Sequence, residues 1–244
     1  MCTVTFIPVG DKYYITSNRD EKKARSQAIP PQVYIENGHK IIYPKDVDAG
    51  GSWIALHENG SAAVLLNGAF EKHEPNPPYK KSRGIIFLEI ISSINPVRYF
   101  MHMDLMGIEP FTMIIMDNCL YECRWNGLTK SCRQLKKHRH HIWSSATLYD
   151  ETTVKKREQW FASFLNKNSR PSQDDVLKFH EFGGTGDIQN DLKMNRNNVM
   201  YTVSITSIVL DEHRSNMKYI DLGDNKIYQA RMEMSLQPEY AEIF

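Results

Sequence analysis

The stretches Met1-Cys2-Thr3-Val4-Thr5-Phe6 and Ile15-Thr16-Ser17-Asn18-Arg19-Asp20-Glu21 decide the fold of this chain. Both are rich in β-branched or aromatic residues, and Pro8-Val9-Gly10-Asp11 between them supplies turn residues. We therefore predict an antiparallel hairpin. Antiparallel pairing sets the end of the second strand beside the start of the first, so Cys2 is expected close to residues 17–21. A thiol is thereby predicted beside an arginine and two acids.

Cys2 directly follows the initiator methionine, and this position suggests a chemical role for it. Removal of an initiator methionine is favoured when the next residue is small, and Cys2 is small. The new α-amine, with an ordinary pKa of about 7.7–8.0, can take the proton of a thiol whose pKa is about 8.5. One residue then supplies both nucleophile and base. We expect Arg19 to stabilise the thiolate and Asp20 to orient the ammonium group.

Further motifs support a family assignment. They are Gly50-Gly51-Ser52-Trp53-Ile54-Ala55, Leu65-Leu66-Asn67 and Trp143-Ser144-Ser145-Ala146, with a β-rich block over residues 200–232. Together with Asn18-Arg19-Asp20-Glu21 and the Met-Cys start, they resemble the NRDE family, whose proteins are named for transport and Golgi organisation protein 2. The specific motifs fall mainly in the first seventy or so residues.

The resemblance implies an N-terminal-nucleophile hydrolase fold of the α+β class, a four-layer αββα sandwich of antiparallel sheets. It is similar to the fold of choloylglycine hydrolases and penicillin V acylases. The catalytic candidates that it implies are Cys2, Arg19, Asp20 and Asn67, and the substrate-binding candidates are Asn18, Glu21, Trp53 and Ser145. Asn67 would help to bind an oxyanion. Without the resemblance, Asn67-Gly68 is read more simply as a turn after a strand.

Three positions depart from the pattern of the acylases or from that of the family. Asp20 follows Arg19 directly, whereas the acylases place this Asp three residues after the Arg. Ser145 stands where a second asparagine is expected, and Ser204 where a late arginine is expected. Two functions therefore stay open: hydrolysis of a small amide or acyl compound, or non-catalytic binding of haem or a lipid-like acyl ligand. A third interpretation takes Cys2 as a buried structural residue.

Composition and sequence patterns argue against several other classes of protein. The 244 residues include 30 Lys+Arg and 29 Asp+Glu, a net charge of +1 that does not favour nucleic acid. No apolar run is long enough to span a membrane and no secretory leader is visible, so we expect a cytoplasmic location. Cys119-x3-Cys123 is interpreted as core packing and not as a zinc site. No metal or cofactor is expected, and the sequence does not indicate an oligomeric state.

The order of predicted elements is strands, helices, strands, helices, strands. This order indicates antiparallel sheets covered by helices in one domain over residues 1–244. Helices are predicted over residues 84–94, 96–106, 151–167 and 172–182, with Asn95-Pro96 and Ser172 at the start of two of them. Residues 24–31 are predicted as a loop, which the resemblance to the acylases would place over the mouth of the active site. The proline-rich segment 70–83 is predicted as a surface loop that could act as a lid. The basic run 136–141 is predicted to be a solvated loop.

Overall fold

A computed structural model describes residues 3–212 and 214–233. Two seven-stranded antiparallel sheets face each other, and a pair of helices packs on the outer side of each sheet. This α+β architecture is the predicted four-layer αββα sandwich. Cys2, the predicted nucleophile, lies outside the described residues. None of the helices in residues 3–212 and 214–233 is long and apolar enough to cross a membrane.

The first sheet is built on the predicted N-terminal hairpin. In spatial order it contains β10 (His141–Ser144), β1 (Thr3–Val9), β2 (Lys12–Lys22), β12 (Met200–Leu210), β13 (Arg214–Asp221) and β14 (Lys226–Glu233), with β11 (Asn195–Arg196) paired to β12. Within the hairpin, Thr3 lies opposite Asn18. The pairing of β2 with β12 shifts register after Thr202, and Ser204 then lies opposite Arg19. Ser204, which stands where a late arginine is expected in the family, is therefore the cross-strand neighbour of Arg19.

The second sheet is a simple meander. It contains β3 (Ile29–Glu36), β4 (His39–Lys45), β5 (Ile54–His57), β6 (Ala62–Asn67), β7 (Phe111–Met116), β8 (Leu120–Trp125) and β9 (Lys130–Leu135), in sequence order. The turn between β3 and β4 is the predicted Asn-Gly turn. Asn37 and Gly38 there both have positive φ, 52° and 84°, as a two-residue hairpin loop requires.

Four helices complete the layers. They are α1 (Arg83–Ile91), α2 (Pro96–His102), α3 (Glu151–Lys167) and α4 (Gln173–Phe182). Helices α1 and α2 pack on the second sheet, and α3 and α4 on the first. Asn95 caps α2, and Ser172 with Asp175 forms a capping box for α4, as the sequence predicts. Helix α2 ends before the predicted residue 106, because Met103 already has extended backbone angles.

Two strands begin inside segments that the sequence predicts as loops. Strand β10 begins at His141, at the end of the predicted basic loop, because β1 offers an edge with which residues 141–144 pair. Strand β3 begins at Ile29, inside the predicted loop 24–31. Its pairing with β4 shifts register between Ile29 and Gln32, where two prolines lack the N–H donors of a regular ladder. Both strands depend on tertiary pairing that local residue preferences do not show.

The core fixes which face of the hairpin each residue occupies. Val4 and Ile15 join the large apolar cluster between the two sheets, whereas Ile7 and Tyr14 pack with residues of α3 and α4. Successive side chains of a strand point to opposite faces. Odd-numbered residues of β2, including Arg19, therefore lie on the inter-sheet face, and even-numbered residues face the helices.

Candidate active site

A cavity of about 740 Å³ lies at the end of the N-terminal hairpin. Four of the predicted site residues line it: Arg19, Glu21, Trp53 and Asn67. Residues 79–82, from the proline-rich loop, and the first turn of α1 form another part of its wall. The described lining carries five basic and three acidic side chains, so the cavity is polar and charged.

Arg19 is the central charge of the cavity. It is only 3% exposed, and its Nη2 lies 2.5 Å from Oδ2 of Asp46 and 3.7 Å from Oε1 of Glu21. Its guanidinium also lies over the ring of Trp53, with 4.4 Å between Cζ and the ring centroid. Carboxylates and an aromatic face both stabilise a buried cation. Arg19 is therefore held in one position beside the cavity.

Asp46 is a site residue that no motif indicated. Its carboxylate accepts hydrogen bonds from Nε and Nη2 of Arg25, at 3.1 and 2.8 Å, and from the main-chain N–H of Ala49, at 2.8 Å. Burial alone would lower the pKa of Arg25, but the hydrogen bond and charge of Asp46 outweigh burial and raise that pKa. The sequence does contain one signal for Asp46. It stands at the start of the turn before the Trp53 motif, and an aspartate at the start of a turn commonly accepts a main-chain hydrogen bond.

Trp53 lines the cavity and is 3% exposed. Its indole Nε1 is buried and has no hydrogen-bond partner among the residues that the structure describes. A buried N–H donor without a partner is uncommon, because leaving it unpaired costs about 1–3 kcal/mol. The indole N–H is therefore available to a group outside the described residues, such as a bound substrate.

The glycine before Ser52 sets the distance between the Trp53 motif and α1. The main-chain N–H of Ser52 donates to the carbonyl of Gly84 at 3.2 Å. A Cβ atom on Gly51 would lie 2.3 Å from the carbonyl carbon of Gly84. Only glycine allows this approach. The Gly-Gly-Ser-Trp motif is thus partly explained by packing of the cavity wall.

Asn67 ends β6 at the cavity, and Ser145 lies behind it. The hydroxyl of Ser145 donates to the main-chain carbonyl of Asn67 at 2.9 Å and lies 3.0 Å from Oγ1 of Thr147. Ser145 is fully buried and is not on the described cavity wall. Asn67 itself lines the cavity, and its side-chain amide makes no hydrogen bond to another residue in the described part of the chain.

Asp20 lies on the other face of the sheet from Arg19. Its Oδ2 accepts a hydrogen bond from the hydroxyl of Tyr149 at 2.7 Å, and its Oδ1 from Oγ1 of Thr202 at 2.6 Å. The sequence placed Arg19 and Asp20 together, but the alternation of a strand separates adjacent side chains. Among the described contacts, Arg19 pairs with Asp46 and Glu21 instead.

Asn18 also faces the helices and does not line the cavity. Its Nδ2 donates to the carbonyls of His180 and Leu192, at 3.1 and 2.7 Å, and its Oδ1 accepts from the His180 ring. The other ring nitrogen of His180 lies 2.7 Å from Oγ1 of Thr5. Burial, with a smaller contribution from the charge of Arg157, lowers the pKa of His180 to about 3. A neutral histidine thus links α4 to both strands of the hairpin.

Arg157 holds the first described residue of the chain. Its guanidinium is fully buried, donates to Oγ1 of Thr3 and lies 3.6 Å from the ring centroid of Tyr149. It also donates to the carbonyls of Asn190 and Asp191 at 3.0 and 2.8 Å. The sequence signal for this role is the position of Arg157 on the buried stripe of α3, four residues before Phe161.

The described residues offer no ready metal site. Groups of three or more His, Cys, Asp or Glu side chains arranged for a metal ion do not occur in residues 3–212 and 214–233. The described cavity therefore offers buried charges, the indole N–H of Trp53 and the side-chain amide of Asn67.

Known hydrolase structures share the fold. The N-acylethanolamine-hydrolyzing acid amidase (NAAA) ortholog of Caenorhabditis elegans matches with a TM-score of 0.58 and 12% identity, over 85% of this chain and 92% of that chain. A Cys-to-Ala mutant and an Arg-to-Leu variant of conjugated bile acid hydrolase from Clostridium perfringens each match with a TM-score of 0.53 and 10% identity, over 99% of this chain and 100% of theirs. These neighbours have N-terminal-nucleophile hydrolase folds, and the likeness shows that fold for this chain.

The sequence itself places the chain in a family. No curated protein sequence matches it. The profile of the family described as Transport and Golgi organisation 2 matches residues 1–234, which confirms the resemblance seen in the Asn18-Arg19-Asp20-Glu21 and Gly-Gly-Ser-Trp motifs. The chain therefore belongs to the Transport and Golgi organisation 2 family.

Proposed function

We propose that the protein is an N-terminal cysteine hydrolase that opens a C–N acyl bond of a small molecule, with Cys2 as nucleophile. The observation that carries the proposal is the register of the hairpin beside the cavity. Thr3 lies opposite Asn18, the neighbour of Arg19, and Cys2 precedes Thr3 by one residue, a step of about 3.8 Å. Thr3 contacts Arg157 on the helix side. We propose that Cys2, the residue before Thr3 in the sequence, acts at the cavity that Arg19 lines.

The proposed reaction needs removal of Met1. The free α-amine of Cys2 takes the thiol proton, and the thiolate attacks the carbonyl carbon of the substrate. The tetrahedral intermediate collapses, the C–N bond breaks, and the leaving amine takes the proton from the α-ammonium group. Water then attacks the thioester, giving the acid and restoring the thiol. In this proposal Asp20, whose side chain faces the helices, orients the α-ammonium group.

The cavity supplies groups for the charge that develops on the carbonyl oxygen. The side-chain amide of Asn67 is the donor that we assign to the oxyanion, and Ser145 fixes the strand end that carries it. Arg19 stabilises the thiolate through its charge. Asp46 and Glu21 hold Arg19 in place. Trp53 offers a second N–H donor to the substrate.

The names of the neighbours and the charged cavity support a proposed substrate class. One neighbour is named as an amidase that hydrolyses N-acylethanolamine and the others as hydrolases of conjugated bile acids. We propose an amide between an acyl group and a small polar amine for this chain. A charged lining of five basic and three acidic side chains suits a polar or ionised part of such a molecule.

The experiment compares hydrolysis of a panel of small N-acyl amines by matched variants. The starting protein is one whose mass shows Cys2 at the N-terminus. We expect Cys2→Ala to abolish hydrolysis, while Cys119→Ala, a change at a thiol outside the described cavity wall, retains it within about twofold. We expect Asn67→Ala to lower kcat by about 100-fold or more. Activity that survives Cys2→Ala would contradict the proposal.

A second candidate function is binding and delivery of a lipid-like acyl ligand or haem without catalysis. Two observations favour it: Ser145 does not reach the cavity, and Asn67 is the single side-chain amide in the described lining. This function predicts saturable binding of an acyl compound that Cys2→Ala leaves intact and that occurs without release of an amine. For haem, the readout is a shift of the Soret band on titration. Absence of both would exclude the carrier function.

A further inference from the structure

Two cysteines of the second sheet face each other across neighbouring strands. Cys123 of β8 lies directly opposite Cys132 of β9, and the two Sγ atoms are 3.1 Å apart. This pair is different from the Cys119-x3-Cys123 spacing in the sequence. Neither thiol belongs to the cavity described above.

The backbone around the pair already suits a disulfide. Opposed residues in antiparallel strands have Cα atoms about 4.5–5.5 Å apart, which is within the range of about 4.4–6.8 Å for disulfides. The sulfur atoms need to approach by roughly 1 Å to reach a bond of about 2.05 Å. Such a movement is available to side-chain rotation and does not require the strands to separate.

The two thiols have different environments. Cys123 is fully buried, whereas Cys132 is half-buried on β9, the last strand of its sheet. The hydrogen bond with Cys123 lowers the pKa of Cys132, and the same bond together with burial raises the pKa of Cys123. Cys132 is thus the accessible and more readily ionised partner, and Cys123 is the neighbour placed to attack it.

We propose that Cys123 and Cys132 form a reversible cross-strand disulfide, a redox-modification site of this protein. With a low-molecular-weight disulfide such as glutathione disulfide as oxidant, the Cys132 thiolate attacks one sulfur and releases one glutathione thiolate. The Cys123 sulfur then gives up its proton and attacks Sγ of Cys132, releasing the second glutathione. Two protein thiols are oxidised, one small disulfide is reduced, and two glutathione molecules form.

A mapping experiment on the full chain tests the proposal. The reduced protein is incubated with millimolar glutathione disulfide, free thiols are alkylated, and the tryptic peptides are identified without reduction. Cleavage after Arg124 or Lys130 separates Cys123 from Cys132, so an intramolecular bond appears as a linked pair of peptides. Residues 99–124 form one tryptic peptide that contains both Cys119 and Cys123, so fragmentation of the linked pair identifies the bonded cysteine. We expect the 123–132 linked pair to be the main oxidised product and to disappear on treatment with dithiothreitol. Cys119 should be recovered mainly in alkylated form.

Two variants separate the roles of the thiols. Cys123→Ala should stop the reaction at the mixed disulfide, leaving one glutathione on Cys132. Cys119→Ser, the matched control, should form the linked pair as the wild type does. Stable glutathione adducts on Cys132 of the wild-type protein without a linked pair would overturn the proposal, as would preferential pairing of Cys119. The wild-type result alone decides the question if a variant does not fold.

Discussion

At the scale of single residues, the ion pair between Arg19 and Asp46 is the feature on which the candidate site depends. Arg19 is 3% and Asp46 8% exposed, and Asp46 also binds Arg25 and the main chain of Ala49. Removing one partner of a buried pair leaves the other charge without compensation. The pair therefore matters for stability as well as for the charge of the cavity.

We expect Asp46→Asn to lower the free energy of unfolding by about 3 kcal/mol, because Arg19 would stay buried without its carboxylate. Asp48→Asn is the matched control in the same turn. The side chain of Asp48 is 37% exposed and lies 3.4 Å from Nε of Arg25, so its loss should cost less than about 1 kcal/mol. Urea denaturation of both variants measures the difference. Equal effects would show that the Arg19–Asp46 pair has no special role.

At the scale of elements, the contact between the Trp53 motif and α1 determines the shape of the cavity wall. A Cβ atom at Gly51 would meet main-chain atoms of Gly84 and Ile85, which cannot move without displacing the first turn of α1. The same turn contributes to the cavity lining. Packing at Gly51 and the position of the ligand-binding wall are therefore linked.

We expect Gly51→Ala to destabilise the fold by about 3 kcal/mol, the upper part of the range for overpacking. Gly38→Ala is a useful comparison, because Gly38 has positive φ but its added Cβ would meet nothing within 4 Å. That change should cost about 1 kcal/mol from backbone strain alone. Thermal unfolding distinguishes the two. A smaller loss for Gly51→Ala than for Gly38→Ala would contradict the close approach.

The link between α4 and the hairpin predicts an effect of pH. Burial lowers the pKa of His180 to about 3, whereas an unfolded histidine has a pKa of about 6.5. Between these values the unfolded chain binds a proton that the folded protein does not bind, so stability is lost as the pH falls. The loss from this group is at most about 1.4 kcal/mol per pH unit, or about 2 kcal/mol between pH 6.5 and 5.0.

Urea denaturation at several pH values, with His180→Gln as the variant, tests this prediction. The variant should be less stable near neutral pH, since the bonds to Thr5 and Asn18 are altered. Its free energy of unfolding should fall less steeply on acidification than that of the wild type. If the free energy of unfolding changed with pH equally steeply in both proteins, folding would not lower the pKa of His180.

At the scale of the whole molecule, many elements could be predicted because their signals are local, whereas the four-layer arrangement was implied by the family resemblance. The Asn-Gly turns, the Asn95-Pro96 cap and the Ser172 capping box mark the ends of elements directly. Strand β10 could not be predicted in this way, because it exists through pairing with an edge far away in the chain.

The candidate site was predicted less completely than the fold. Motifs indicated Arg19, Glu21, Trp53 and Asn67, which the structure brings to one cavity. Motifs also grouped Asn18, Asp20 and Ser145 with them, although these side chains do not line it. A tetrapeptide in a strand divides between two faces, and its sequence does not show which face holds the ligand. Asp46 and Arg157 were missed because their partners are distant in sequence.

We also propose that residues 1–244 form one domain. A single large apolar cluster contains Val4 of the first sheet and Ile114 of the second. A shared core of this kind predicts one cooperative unfolding transition, with equal calorimetric and van 't Hoff enthalpies. Scanning calorimetry of the full chain measures both. Two resolved transitions would indicate separate domains.

The most direct test of the central claim measures the N-terminus and the reactivity of Cys2 together. The purified protein is treated briefly with less than one equivalent of a thiol-directed acylating reagent, and the intact mass and the labelled peptide are determined. Our account predicts a chain that begins at Cys2 and carries the label there, well ahead of Cys119, Cys123 and Cys132. A retained Met1, or equal labelling of the four thiols, would contradict it.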